Sequence, residues 1–172
     1  MDKRSLTKIY PMLVVSDADV IIHLSKLEKL SILQSLYTEV AIPEYIKLEI
    51  TCKNNPDIQK ALNSFLKVFG ISKAKADNIA QRHGIHVGEA HVKTLGEELK
   101  AHLFLSNERK VRKAAKEEGF DVVGTVGVIL KAVKKKIIEI PEANSLLEKM
   151  KSSDFRIHPD ILRKAIFLLK EI

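Results

Sequence analysis

The chain has 172 residues, of which 45% are hydrophobic and 30% charged, a balance that excludes a disordered protein. Lysine and arginine outnumber aspartate and glutamate by 29 to 22, and the resulting net charge of +7 favours polyanionic partners such as RNA or DNA. The single cysteine, Cys52, excludes a disulfide framework and a zinc site built from cysteines.

The hydropathy pattern predicts a cytoplasmic protein that does not enter a membrane. No apolar run approaches the roughly 20 residues that a membrane span needs. The apolar run at 12–15 is too short to be the apolar region of a signal peptide, so it is interpreted as a strand.

Short apolar runs alternate with longer amphipathic stretches along the chain, which predicts an α/β fold. In chain order the predicted elements are a strand at 12–15, helices at 20–27 and 30–37, a strand at 39–42, a helix that begins at Pro43, helices at 56–66, 74–82 and 88–100, a strand at 102–105, a helix at 108–118, a strand at 121–123, a helix capped by Thr125, and helices at 144–150 and 159–172. Helical crossovers between short strands imply a central, mostly parallel sheet flanked by helices. Because no repeat or linker is visible, a single domain is predicted over residues 1–172, with 144–172 as a C-terminal helical appendage.

Polar and acidic residues follow two of the predicted strands. Asp17 and Asp19 come after the first strand, and Asn107 and Glu108 come after the strand at 102–105. In open parallel sheets, ligands bind beyond the carboxyl ends of the strands. These side chains are therefore expected to lie in one crevice.

Two further carboxylates are predicted to reach the same crevice from helices. Glu49 falls inside the apolar arc of the helix that begins at Pro43, whereas Glu44 projects from the opposite side and is interpreted as solvated. An unpaired carboxylate on an apolar face is unfavourable, so Glu49 indicates a function. Glu89 flanks the apolar stripe of the helix at 88–100 in its first turn, where it can overlook the end of the sheet.

Four carboxylates in one crevice would repel one another, by about 4 kcal/mol for a pair at ~4 Å and an effective dielectric constant near 20. Mg²⁺ or Mn²⁺ would relieve this repulsion, since both ions prefer oxygen ligands. Such ions activate water and stabilise the charge that develops on a phosphate, so the predicted chemistry is phosphodiester hydrolysis.

Simpler interpretations of each residue stay open. Asp17 or Asp19 can cap the first helix, and Asn107 can cap a later one. Glu89 and Glu108 lie in first helical turns, where the helix dipole favours acids.

A basic stripe is predicted on the helix at 108–118. Its members recur at spacings of three, one and three, and they are Arg109, Arg112, Lys113 and Lys116. The stripe begins beside Glu108, so it is well placed to hold an RNA backbone, with Thr125 as a further predicted nucleic-acid contact. A solvated helix surface is the alternative interpretation.

Four segments of the chain resemble the PIN-domain family, specifically the prokaryotic subgroup related to VapC-type toxins. They are Ser16-Asp17 with the run at 20–24, Ile42-Pro43 leading to Glu49, Gly88-Glu89-Ala90, and Arg112 with the block at 123–130. The resemblance implies a three-layer PIN-like fold, and it runs over nearly the whole chain.

The resemblance also implies a Mg²⁺- or Mn²⁺-dependent ribonuclease that acts on RNA, forms a homodimer and is neutralised, if it is a toxin, by a partner antitoxin. The implied catalytic residues are Asp17, Glu49, Glu89 and Glu108, and the implied metal ligands are these four with Asn107 and Asp19. The subgroup usually has two aspartates at the positions of Asn107 and Glu108. Asn107 adds no charge, and Asp19, which stands where a small hydroxyl residue is usual, can compensate.

Asn107, at a position where the subgroup usually has an aspartate, motivates a second hypothesis. In this hypothesis the chain is a catalytically degenerate PIN domain that binds RNA or a protein without cleavage. A third hypothesis is a phosphoacceptor signalling domain. That class would place a lone aspartate after a middle strand and a lysine after a late one, and neither is clear in this sequence.

Overall fold

The computed structural model describes residues 12–172, so the first eleven residues of the predicted domain lie outside the described range. Within that range five parallel strands form one sheet in the order β3-β2-β1-β4-β5, and ten α-helices flank it. This architecture confirms the predicted α/β class and the parallel sheet. None of the helices in the described part of the chain is long and apolar enough to cross a membrane.

The strands are β1 Val14–Ser16, β2 Val40–Pro43, β3 Leu66–Phe69, β4 Leu103–Leu105 and β5 Asp121–Val123. The helices are α1 Ala18–Lys26, α2 Ser31–Tyr37, α3 Glu44–Thr51, α4 Pro56–Leu62, α5 Lys73–His83, α6 Val87–Leu99, α7 Arg109–Glu117, α8 Thr125–Lys134, α9 Ile140–Lys149 and α10 Pro159–Leu169. A short 3₁₀ helix, Ser153–Phe155, lies between α9 and α10.

Strand β1 lies at the centre of the sheet, between β2 and β4. Its three residues are buried, as expected for a parallel strand that is covered on both faces. Ser16 pairs with Leu105, and the Asp17 N–H donates to the Leu105 carbonyl at 2.9 Å. The ends of β1 and β4 are therefore held side by side, which brings the two acidic segments that follow them together.

The predicted helix at 56–66 is wrong in its last turn, and the strand β3 was missed. Helix α4 ends at Leu62, and the chain then pairs with β2 from Leu66 to Phe69. Leu66 is buried whereas Lys67 is exposed, so the run is an edge strand with one covered position rather than a continuous apolar run. Val68 and Phe69 favour a strand, but a run of four residues that contains a lysine gives only a weak signal, and the ladder to β2 decides its structure.

The C-terminal helices α9 and α10 pack on α8 and on each other. Leu147 and Leu169 are fully buried and belong to the same hydrophobic cluster as the residues of the sheet. The segment between these two helices is thereby held against the body of the protein.

Candidate functional site

A cavity of about 150 Å³ lies at the carboxyl edge of the sheet. Five acidic residues line it, namely Asp17, Asp19, Glu49, Glu89 and Glu108. We call this space the carboxylate cavity. The structure therefore brings together all five of the carboxylates that were predicted for the site.

Asp17 combines a structural contact with a free oxygen. Its Oδ1 accepts a hydrogen bond from the Val20 N–H at 3.1 Å and caps helix α1, so the capping interpretation is correct for one of its two oxygens. Its Oδ2 is buried and has no hydrogen-bond partner within residues 12–172. A buried carboxylate oxygen without a partner is unfavourable unless a proton or a cation reaches it.

Glu49 reaches the cavity because Gly88 allows two helices to approach closely. A Cβ atom built on Gly88 would lie 2.9 Å from Glu49 Oε1 and 2.9 Å from a ring carbon of Tyr45. Only a residue without a side chain fits between α3 and α6 at this point. Glu49 is half-buried and Glu44 is exposed, as their positions on the helix predict.

Glu89 closes the N-terminus of helix α6. Its Oε2 accepts a hydrogen bond from the His86 N–H at 2.9 Å, and His86 Nδ1 accepts one from the Gly88 N–H at 3.2 Å. This reciprocal pair is a capping box, so Glu89 stabilises the start of α6 through a hydrogen bond as well as through the helix dipole that its first-turn position predicts. His86 lines the carboxylate cavity as well, although no histidine was predicted as a ligand.

The electrostatics of the cavity disfavour several negative charges at once. The pKa of Asp17 is raised to about 7, mainly by burial and in small part by the Asp19 and Glu108 carboxylates, against the lowering effect of hydrogen bonding to the Ser106 side chain and the Val20 N–H. Burial, with a contribution from nearby acids, also raises the pKa of Glu49 and that of Glu108. A cation in the cavity would favour the ionised forms of all three groups.

In the described part of the chain, no three or more acidic, histidine or cysteine side chains are arranged to hold a metal ion as they stand. The hydrogen bonds of Asp17 to Val20 and of Glu89 to His86 each occupy one oxygen of a lining carboxylate. The chemistry of the donors nevertheless fits a hard divalent ion, because five carboxylates converge and the Asp17 Oδ2 has no other partner.

Asn107 lies outside the carboxylate cavity and acts as a clamp, because its side chain joins the segment after β4 to the first residue of α8 by hydrogen bonds. Its Oδ1 accepts a hydrogen bond from the Thr125 N–H at 2.8 Å, and its Nδ2 donates to the Thr125 hydroxyl at 2.8 Å. Thr125 was predicted to cap α8, but Gly124 holds that position and Asn107 supplies the acceptor from another element. Asn107 also does not cap the helix that follows it, because Glu108 holds the N-cap of α7. A Cβ on Gly124 would lie 2.6 Å from Asn107 Oδ1, so a glycine is needed here.

His23 belongs to the same cluster and was missed in the sequence. It is 7% exposed, and burial lowers its pKa, which favours the neutral imidazole. Its Nδ1 lies 3.1 Å from the Thr125 hydroxyl and 3.2 Å from Asn107 Nδ2. The available signal was a histidine at helical spacing between Val20 and Leu24, within the apolar stripe of α1.

Replacing Asn107 by alanine is expected to destabilise the fold by about 1–2 kcal/mol, because it removes the cap of α8 and both amide donors. Affinity for Mn²⁺ should stay unchanged if Asn107 is a clamp and not a ligand. Urea denaturation and calorimetry measure the two effects, with the exposed Asn78→Ala as the control. A loss of Mn²⁺ affinity without a loss of stability would show that Asn107 is a metal ligand and not a clamp.

A comparison with protein families decides the class of this site. A family model described as a PIN domain matches residues 13–171. The chain belongs to the PIN-domain family. PIN domains are generally nucleases and typically use divalent metal ions, which agrees with the donors in the carboxylate cavity.

A comparison with solved structures agrees with the PIN-domain assignment. The crystal structure of PAE2754 from Pyrobaculum aerophilum is similar to this chain with a TM-score of 0.54 and 13% sequence identity. The similarity covers 66% of this chain and 90% of the other, and at this identity it shows a shared fold. None of the curated proteins matches the sequence significantly.

The basic stripe of this PIN domain divides between two places. Arg109 and Arg112 line a groove next to the carboxylate cavity, together with Asn107. Lys116 lines a different depression at the amino ends of β4 and β5, and Lys113 is exposed. The inward side of α7 consists of Val111, Ala114 and Ala115, all of which are buried.

Proposed function

We propose that this PIN domain is a metal-dependent endoribonuclease that hydrolyses phosphodiester bonds of RNA. One observation carries the proposal, namely the five carboxylates around one small cavity with the buried Asp17 Oδ2 left without a partner. The raised pKa values of Asp17, Glu49 and Glu108 support it, because a cation in the cavity would offset the burial and repulsion that disfavour their ionised forms.

Asp17, Glu49, Glu89 and Glu108, assisted by Asp19, would hold Mg²⁺ or Mn²⁺. When bound, the ion would lower the pKa of a water molecule and offset the charge that develops on the phosphate. Asp17 would orient its free Oδ2 into the cavity while its Oδ1 stays on the Val20 N–H. Glu89 would likewise keep one oxygen on the His86 N–H and offer the other.

RNA is the proposed substrate because of the basic balance of the chain, the arginines beside the cavity and the resemblance to VapC-type toxins. Arg109 and Arg112 lie next to Glu108, where they would hold a phosphate while the carboxylates hold the metal. A toxin role, with an antitoxin as partner and a homodimeric state, follows from the same resemblance and stays a prediction.

A second candidate function is binding of RNA or of a protein without cleavage. It is favoured by the arrangement in which Asp17 and Glu89 serve as helix caps and no three side chains of the described residues already form a ligand set. Hydrolysis by the purified protein would exclude this candidate.

Two glutamates on one helix provide the test of the proposal. Glu49→Gln is expected to reduce Mn²⁺-dependent cleavage of single-stranded RNA by about 100-fold or more, because a lost ligand weakens metal assistance that contributes several kcal/mol. Glu44→Gln is the matched control, since Glu44 is exposed on the same helix and does not line the cavity. Cleavage of an end-labelled RNA is followed on gels, with a single-stranded DNA of the same sequence in parallel.

The two variants separate the possible outcomes. Loss of activity in Glu49→Gln with normal activity in Glu44→Gln supports the carboxylate cavity as the active site. Equal activity of both variants would contradict the proposed mechanism. Absence of cleavage by the wild type with both Mg²⁺ and Mn²⁺ would favour the second candidate function, binding of RNA or of a protein without cleavage.

A further inference from the structure

A groove of about 700 Å³ opens beside the carboxylate cavity and shares Asp19 and Glu108 with it. Ligand sites for organic molecules usually measure roughly 300–1,000 Å³, so the groove is large enough for a nucleotide and the cavity of about 150 Å³ is not. A polynucleotide held at the carboxylates would need space outside the cavity, and the groove is adjacent to it and large enough. We call it the arginine groove, after Arg109, Arg112 and Arg156.

The three arginines of the groove come from two segments that are far apart in the chain. Arg109 and Arg112 lie on α7, and Arg156 lies 44 residues after Arg112, in the segment between the 3₁₀ helix and α10. Within residues 12–172, none of the three makes an ion pair or a side-chain hydrogen bond. Unpaired guanidinium groups that face one groove are suited to phosphate, which they bind through two parallel hydrogen bonds.

The wall that carries Arg156 is held in a defined position. The Phe155 ring packs on the His23 ring with centroids 5.4 Å apart, and the Lys26 ammonium lies 5.7 Å from the Phe155 centroid. Lys26 Nζ also donates to the Asp154 carbonyl at 3.2 Å. Arg156 then adopts a left-handed backbone conformation with φ of 50°, which is unfavourable for a residue other than glycine.

The rest of the lining suits an unpaired base. Ile157 and Ile161 lie on the C-terminal wall and Val123 on the sheet side, and Ile161 is 49% exposed. Proteins that bind single strands combine a cationic groove with side chains on which unpaired bases pack, usually aromatic rings, and Ile157 and Ile161 would supply apolar contact for a base here. The acidic groups in the groove are Asp19 and Glu108 at the end shared with the carboxylate cavity, and Asp154.

We propose that Arg156, together with Arg109 and Arg112, clamps a backbone phosphate of single-stranded RNA that leaves the carboxylate cavity. The inference rests on the proposed ribonuclease function and adds the C-terminal segment to the substrate site. Arg156 is a positioning residue, since it touches the strand away from the scissile bond. Its removal weakens substrate binding and leaves the chemical step intact.

The first test measures binding without cleavage. Fluorescein-labelled octauridylate is titrated with the full chain in EDTA, and binding is followed by anisotropy at several salt concentrations. Arg156→Gln is expected to weaken binding by about tenfold and to reduce the slope of log affinity against log salt by about 0.7, the amount for one lost phosphate contact. Arg163→Gln is the matched control, because Arg163 is exposed on α10 and does not line the groove.

The second test separates binding from catalysis. With Mn²⁺ present, Arg156→Gln is expected to raise KM for the octamer about tenfold and to keep kcat within about twofold of the wild type. Arg156→Lys, which keeps the charge and loses the planar fork, should be intermediate and also serves if the glutamine variant does not fold.

The outcomes distinguish the clamp from the hydrolysis. Weaker binding by Arg156→Gln supports the clamp even if the wild type cleaves no RNA, in which case only the proposed hydrolysis fails. Unchanged binding and an unchanged salt slope would overturn the clamp even if the wild type cleaves RNA. Failure of the wild type to bind octauridylate, or tighter binding of hexaglutamate than of the RNA, would also overturn it, and the second result would assign the groove to an acidic protein partner.

Discussion

Replacement of Asp17 by asparagine is expected to stabilise the metal-free protein at pH 8 by about 2–4 kcal/mol and to abolish metal-dependent activity. Burial raises the pKa of Asp17 from 3.8 to about 7. As the pH rises, the unfolded chain loses this proton near pH 4, whereas the folded chain keeps it until near pH 7. The wild type therefore loses stability across this window, and the full loss is present above pH 7.

Asparagine removes the buried charge and keeps an oxygen that can accept from the Val20 N–H, so the cap of α1 survives. Urea denaturation in EDTA at pH 5 and pH 8 measures the free energy of unfolding. The difference between Asp17→Asn and the wild type should be larger at pH 8. Asp57→Asn is the control, because Asp57 is exposed on α4 and does not line the carboxylate cavity.

Metal is expected to reverse the order of stability. Millimolar Mn²⁺ should stabilise the wild type, because it binds only the folded state, and should leave Asp17→Asn unchanged. A metal-free Asp17→Asn protein that is less stable than the wild type at pH 8 would contradict the assignment of Asp17 as a buried, destabilising charge.

Gly96→Ala is expected to destabilise the protein by about 3 kcal/mol. A Cβ atom on Gly96 would lie 2.0 Å from the Phe104 ring, which is itself fully buried and packs on Phe120 with centroids 4.9 Å apart. The ring has no space into which it can move, so α6 and β4 must separate. Because β4 leads into Glu108, the same change should weaken metal binding.

Gly70→Ala is the control for this prediction, since a Cβ atom there meets nothing within 4 Å. Its free energy of unfolding should stay within about 0.5 kcal/mol of the wild type, measured by urea denaturation. A Gly96→Ala protein as stable as Gly70→Ala would show that the packing between α6 and β4 is looser than the structure describes.

The acidic site was predictable because it depends on local pattern and on one rule of topology. Asp17 and Glu108 each follow a short apolar run, and parallel strands deliver such residues to the same edge of the sheet. Glu49 could be added because its position on the apolar arc of α3 is a property of helical periodicity alone.

Features that depend on distant contacts were beyond the reach of sequence patterns. Asn107 forms a hydrogen bond with Thr125, which lies 18 residues later in the chain, and neither residue type predicts the other as its partner. The strand β3 forms at an edge that β2 offers, and its run of four residues is too short to give more than a weak strand signal. The arginine groove needs Arg156 to fold back beside α7, a contact that no local spacing encodes.

The most direct test of the account is a calorimetric titration of Mn²⁺ into the wild type, Asp17→Asn and Glu44→Gln at pH 7.5. The account predicts measurable binding by the wild type and by Glu44→Gln, and none by Asp17→Asn. Binding that survives in Asp17→Asn, or that is absent from the wild type up to millimolar metal, would contradict the claim that the carboxylate cavity is a metal site.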